Sequence, residues 1–170
     1  DAKKLVRERN YFATMMVENG DADAMLSGYS RAYPAVLKPI LELIGKEKGV
    51  TNVAATNLMN TKRGPIFISD TSININPDAT VLAKIAQMTF KTVKMFGIDP
   101  VIAMASHSNF GSSKNPSATK VKEAVDYLHE HYPEIVVDGE LQIDFALNKK
   151  MRMDKFPFSK LNGQKVNTLI

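Results

Sequence analysis

The stretch VIAMASHSNFGSSKNPSATKVKEAVDYLHEHYPEIVV, residues 101–137, decides the fold class. Val101–Ala105 is a continuous apolar run, the pattern of a strand buried on both faces rather than on one. A polar loop spans residues 106–114. Asn115-Pro116 then reads as a helix cap followed by proline at the first helical position. Val121, Ala124, Val125 and Leu128 recur at helical spacing, Pro133 ends the helix, and Ile135-Val136-Val137 begins another short strand. Strand, loop, helix, strand is a crossover unit joining parallel strands, so the expected class is α/β.

Working outward, residues 76–97 show the same punctuation. Asn76-Pro77 is the expected helix start, Leu82, Ile85, Ala86, Thr89, Phe90, Val93 and Phe96 form the apolar stripe, and Gly97 is the stop. Residues 53–60 and 65–69 read as strands joined by a turn over Thr61-Lys62-Arg63-Gly64, which adds an antiparallel hairpin. The sheet is therefore expected to be mixed and mainly parallel. Towards the N-terminus, residues 2–19 read as one helix whose stripe is Leu5, Phe12, Met15, Met16 and Asn19. Residues 24–27 read as a short strand, and Pro34 opens a helix with Leu37, Ile40, Leu41 and Ile44 inward. Residues 148–165 read as a long surface excursion. Residues 166–170 resemble the opening of a buried strand, and a chain ending inside a core element suggests an excised piece of a longer protein.

Composition narrows the function classes. The chain has 170 residues, 44% hydrophobic and 24% charged, which excludes disorder and a coiled coil. No apolar run approaches the roughly 20 residues of a membrane span, and no signal peptide is visible. With no cysteine, disulfides, thiolate metal sites and cysteine nucleophiles are excluded together. These features suit a cytoplasmic protein. The net charge of +4 comes from one segment: residues 149–165 carry six cations against Asp154 alone. With no Trp and no aromatic–cation interleaving, a solvated basic loop is preferred to a nucleic-acid surface.

Three segments could carry chemistry. The loop bearing Ser106, Ser108, Asn109, Ser112 and Lys114 follows a buried strand and precedes a helix, where open α/β sheets bind ligands. Its hydroxyls, backbone N–H groups and Lys114 suit a phosphate or carboxylate. The plain alternative is turn chemistry alone, with His107 bonding its own backbone. Residues 28–34 offer Ser30 and Arg31, with Lys38 beyond, as a phosphate fork and a point charge; surface cations near a helix start are the alternative. Asp138, Glu140 and Asp144 could serve as acids, bases or metal ligands, but a turn with acids at a helix start is preferred. His129 and His131, two apart on a helix, read as surface residues and not as metal ligands.

The ordered set ADAMLSG (22–28), SDTSININPDA (69–79), FGIDP (96–100), SHSNFGSSK (106–114) and VDGELQIDFAL (137–147) resembles the phosphate acetyl/butyryltransferases. GYSRAYP and SHSNFGS resemble more closely the phosphotransacetylase-like C-terminal half of bacterial hybrid NADP-dependent malic enzymes. The resemblance covers nearly the whole chain. It implies a three-layer α/β/α fold of the isocitrate/isopropylmalate dehydrogenase type, with residues 1–170 forming mainly the second lobe. It also implies that a catalytic Ser-Arg pair and an Asp of the family lie in a stretch with no match here. Active transacetylases pass acetyl between coenzyme A and phosphate and carry an Arg-Pro pair where this chain has Lys38-Pro39. In the malic enzyme hybrids the corresponding half senses acetyl-CoA and supports homo-oligomerisation. NADP and Mg or Mn act elsewhere in the polypeptide. By resemblance, Ser30, Arg31, Lys38, Ser106, Ser108, Asn109, Ser112 and Lys114 would line an effector cleft for acetyl-CoA or acetyl phosphate, with no metal and no catalytic residue in this chain.

Overall fold

The computed structural model describes residues 2–170. They form two compact units, one ending at Thr51 and the other Asn52–Ile170.

The first unit is helical among the described residues. The single helix expected over 2–19 is two: α1 (Ala2–Leu5) and α2 (Arg9–Glu18). Glu8 breaks the run. Its backbone is extended, and its Oε2 accepts hydrogen bonds from the N–H groups of Asn10 and Tyr11 at 3.0 and 3.2 Å, capping α2. The buried face of α2 is also not the expected stripe: Asn10 and Thr14 are buried, whereas Leu5 and Phe12 are exposed. No strand forms over 24–27. Its backbone joins no sheet, and Ser27 Oγ instead donates to Asn10 Oδ1 at 2.8 Å. α3 (Tyr33–Leu43) starts as expected, with Pro34 in its first turn and Pro39 buried.

The second unit holds a five-stranded sheet in the order β1-β2-β5-β3-β4, with β1 (Thr56–Thr61), β2 (Gly64–Ser69), β3 (Val101–Ala105), β4 (Val136–Leu141) and β5 (Thr168–Leu169). β1 and β2 are the antiparallel hairpin; all other pairings are parallel. Alternation along β3 sorts the core into two layers. Ile102 and Met104 pack with Leu82 and Ala86 of α4 (Ala79–Met95) and with Val121, Val125 and Leu128 of α5 (Pro116–His131). Val101 and Ala103 face the opposite layer, with Ala146 of α6 (Ile143–Leu147), Leu161, Val166 and Leu169.

Caps agree with the sequence for α5, where Asn115 Oδ1 accepts from Ser117 N at 3.0 Å. For α4 the cap is Asp78, not Asn76: Asp78 Oδ1 accepts from Val81 N at 2.8 Å, and the helix starts after Asp78. The expected stripe of α4 is buried apart from Phe90, which is half-buried, and Phe96, which stays exposed while its ring meets Phe67 edge-on at 5.4 Å.

Two expectations near the C-terminus are corrected. Residues 138–141 are the body of β4 and not a turn, so Asp138 and Glu140 are buried strand residues. Residues 148–165 are not a simple surface excursion. They contain α7 (Lys149–Lys155) and a returning turn that buries Arg152, Ser159 and Leu161. Arg152 is fully buried: its Nη1 donates to the carbonyls of Phe145 and Ala146, and its Nη2 to those of Leu161 and Gln164. Of the six cations in this segment, the five lysines are exposed and Arg152 is not.

Candidate functional site

The β3–α5 loop is held from below by β4. Glu140, 1% exposed, accepts at Oε1 from Ser108 Oγ at 3.0 Å and from Gly111 N at 2.8 Å, while its own carbonyl accepts from Phe110 N. Phe110 has φ 44° and Gly111 φ 82°, so the chain turns back over the carboxylate through the left-handed region. Asn109 and Gln142 pair twice: Asn109 Nδ2 donates to Gln142 Oε1 at 2.7 Å, and Gln142 N donates to Asn109 Oδ1 at 2.8 Å. Gln142 Nε2 donates to the His107 carbonyl at 2.9 Å. β4 and β3 approach closely enough to require glycine beside this carboxylate. Gly139 has φ +147°, and a Cβ there would sit 2.6 Å from the Met104 carbonyl.

These contacts give each expected loop residue a place. Ser108 is buried and bonds to Glu140 of β4, and the half-buried Asn109 pairs with Gln142 just beyond that strand. Ser106 donates its N–H to the Leu141 carbonyl, and Ser112 Oγ accepts from Asn109 N at 3.0 Å. Lys114 is exposed. His107 does not bond its own backbone: its Nε2 lies 3.4 Å from Ser113 Oγ. His129 is half-buried, its Nε2 donating to the Val137 carbonyl at 2.8 Å, and His131 is exposed and stacks on Tyr127. Asp138 Oδ2 accepts from Ser159 Oγ and Lys160 N at 2.9 and 2.7 Å. Among the described residues, no three His, Asp or Glu side chains come together as a metal site.

In the first unit, Ser30 and Arg31 border a cavity of about 630 Å³ that sequence reading did not assemble. Arg9 and Asn10 of α2, Met25, Ser27 and Tyr29 complete much of its wall. Arg9 Nη2 donates to Ser30 Oγ at 3.2 Å, and Arg31 Nη2 lies 3.4 Å from Glu8 Oε1. Lys38 is not in this wall. Its ammonium is 3.7 Å from Glu42 Oε1, and the Tyr11 hydroxyl donates to Glu42 Oε2, which raises the Tyr11 phenol above its ordinary range. The missed signal was Asn10. Asn10 sits at an inward helical position, 3% exposed, where its Oδ1 accepts from Ser27 Oγ.

A family model described as phosphate acetyl/butaryl transferase matches residues 1–170. The NADP-dependent malic enzyme of Escherichia coli (strain K12) is 38% identical over 161 residues, covering 95% of this chain and 21% of that protein. The phosphate acetyltransferase of Bacillus subtilis (strain 168) is 36% identical over 162 residues, covering 95% of this chain and 50% of that one. A solved phosphotransacetylase from Streptococcus pyogenes superposes with a TM-score of 0.85 at 39% identity, covering the whole of this chain and 52% of its own. The chain thus spans about a fifth to a half of the length of these proteins. No helix among the described residues is long and apolar enough to cross a membrane.

Proposed function

Because this chain belongs to the phosphate acetyl/butaryl transferase family, we propose that it serves as the acyl-CoA-sensing and assembly lobe of an NADP-dependent malic enzyme. The whole enzyme would convert malate to pyruvate with NADP and a divalent metal held on residues outside this chain. The supporting observation is Lys38. The resemblance puts the arginine of an Arg-Pro pair at this position in active transacetylases, and lysine keeps the charge but loses the two-pronged geometry that grips a phosphoryl group. Its ammonium is, moreover, directed to Glu42 and not into the cavity beside Ser30. A lobe that binds an acyl-CoA without transferring its acyl group is suited to report on that ligand, provided that two conformational states bind it unequally. Titrating acetyl-CoA into the full-length enzyme while following NADPH formation tests this; unchanged malate activity refutes it.

A second reading rests on the similarity to the B. subtilis phosphate acetyltransferase, nearly as strong as that to the malic enzyme. In it, the chain is part of a working enzyme that moves acetyl between coenzyme A and phosphate. Substantial acetyl-CoA synthesis from acetyl phosphate and coenzyme A by the full-length protein would favour it. Lys38→Arg discriminates further: activity that appears only in this variant identifies position 38 as a site that has lost catalysis.

A further inference from the structure

The two edges of the five-stranded sheet differ. β4, at one edge, has five of its six residues buried, and its Asp138 is bonded by Ser159 and Lys160 of the returning turn. β1, at the other edge, has β2 as its strand neighbour on one side and four of its six residues exposed. Its sequence, Thr-Asn-Leu-Met-Asn-Thr, holds no charge and no proline, the residues that keep open edges from pairing. Thr61 and Gly64 face each other across the hairpin turn. Alternation along an antiparallel pair then turns the backbone N–H and C=O groups of Thr56, Leu58 and Asn60 away from β2. Pro65, which has no N–H to give, lies opposite Asn60, as that alternation requires. The edge is also apolar. Leu58 is 47% exposed, and opposite it on β2 is Phe67, whose ring meets that of Phe96 at the end of α4. Phe96 is itself 57% exposed, and Met59, on the sheet's other face, is 51% exposed.

We propose that β1 is where two copies of this chain join, paired antiparallel about a two-fold axis at Leu58 so that their sheets run on as one. The register follows from the strand. Outward-facing backbone groups must meet outward-facing ones, and Thr56, Leu58 and Asn60 are symmetric about Leu58. Each Leu58 then meets its counterpart, Thr56 meets Asn60 and Asn57 meets Met59, with no charge set against a like charge. The same register carries the turn residues Lys62 and Arg63 past the end of the other strand, opposite Ala54 and Val53. That stretch adjoins Ala55, whose N–H is held by the Asp70 carboxylate. Cations of each copy thus approach an anion of the other, and the two-fold axis repeats the contact. Leu58 and Phe96 of both copies lie on one side of the joined sheet, where they cover apolar surface that each copy alone exposes. A second copy is the occupant because the edge is complementary to itself in backbone polarity, charge and symmetry. The surface supplies the contact face for the assembly role proposed above and rests on that reading.

Sedimentation velocity of the full chain is expected to show a dimer at micromolar concentration. Leu58→Lys sets two ammonium groups against each other at the axis and should weaken the dimer about a hundredfold, whereas mixing Leu58→Lys with Leu58→Glu should restore it. The chain has no cysteine, so single substitutions also report the register. Counterpart Cα atoms of a bonded antiparallel pair lie about 5.5 Å apart, within reach of a disulfide. Under mild oxidation Leu58→Cys should therefore give a covalent dimer. Asn60→Cys, whose counterparts sit roughly 13 Å apart along the strands, should not. Should Leu58→Lys fail to fold by circular dichroism, the two cysteine variants decide. A monomeric wild type, or equal cross-linking of the two cysteine variants, overturns the proposal. A dimer that Leu58→Lys leaves intact puts the contact on another face, so this surface is wrong and the assembly reading stands. A dimer lost in Leu58→Lys while acetyl-CoA leaves malate activity unchanged supports the surface and refutes the sensing reading.

Discussion

Replacing Arg152 with Met tests how the C-terminal segment is held. The substitution keeps most of the side-chain stem and removes a guanidinium that donates to the carbonyls of Phe145, Ala146, Leu161 and Gln164 at 3.2, 2.5, 2.9 and 3.0 Å. Burial pulls the Arg152 guanidinium below its ordinary range, and the nearby charge of Asp138 opposes that pull. Two effects compete. Burying an ion costs several kcal/mol, so exchanging it for an apolar side chain can be neutral or stabilising. Against this, hydrogen bonds from a charged donor are worth about 1.5–3 kcal/mol each, and stranded buried acceptors keep their full desolvation cost. Four such bonds in one network do not add. What tips the balance is that the four carbonyls are left buried without donors and Asp138 without its compensating charge, the case in which removing one buried charged partner is strongly destabilising. We expect a loss of about 3–5 kcal/mol, with a fall in Tm of about 10 °C for a chain of this size. Arg152→Lys, which keeps the charge but cannot span both turns, should lie between. Adding Asp138→Asn to Arg152→Met should recover part of the loss. Urea unfolding measures all of these. A loss below about 1 kcal/mol at unchanged m-value would refute the argument and make the guanidinium a replaceable core filler.

Three further outcomes are expected. Asp70 accepts N–H groups from Ala55, Ser72, Ile73 and Asn74 and the Asn74 side-chain amide; burial pushes its carboxyl up, but these bonds pull it further down, to a net value below the usual carboxylate range. Its contribution is therefore complete above about pH 4 and lost as pH falls through the depressed native value, so Asp70→Asn should flatten the acid limb of a stability-versus-pH curve and cost about 1–3 kcal/mol at pH 7. Gly139→Ala places a Cβ 2.6 Å from the Met104 carbonyl at a φ of +147° and should cost at least about 2 kcal/mol in urea unfolding; full stability would mean that β3 and β4 can separate locally. Glu140→Ala removes the acceptor of the Gly111 N–H and the Ser108 hydroxyl, so amide exchange at Gly111 should accelerate about tenfold or more while exchange in β3 changes little.

Much of the fold was legible because its signals are local. The apolar run of β3, the cap at Asn115 and the stripe of α5 each lie within a few residues of one another, and the structure reproduces them. Residues 24–27 misled because four small or apolar residues satisfy a strand pattern without a neighbouring strand to pair with; here Ser27 finds Asn10 instead. Residues 138–141 misled in the opposite sense. An Asp-Gly-Glu sequence reads as a turn, yet Glu140 Oε1 is bonded by a loop about thirty residues earlier and Asp138 Oδ2 by a turn about twenty residues later. Ser108 and Asn109 lie in one loop, but their separate partners, Glu140 on β4 and Gln142 just beyond it, were not foreseen.

The sequence by itself determined the α/β class, the mixed sheet with its hairpin, and, through an ordered set of motifs, the family. Composition, punctuation and periodicity act over one or two turns of chain, where spacing along the sequence and spacing in space are nearly the same. Only the tertiary structure decided which polar groups are buried and what satisfies them. It placed Arg152 inside a segment that looked solvated, put Glu140 under the β3–α5 loop, and buried Asn10 against Ser27. The physical reason is that a hydrogen-bond partner is chosen by position in space after the sheet has formed, and no local pattern encodes a partner thirty residues away.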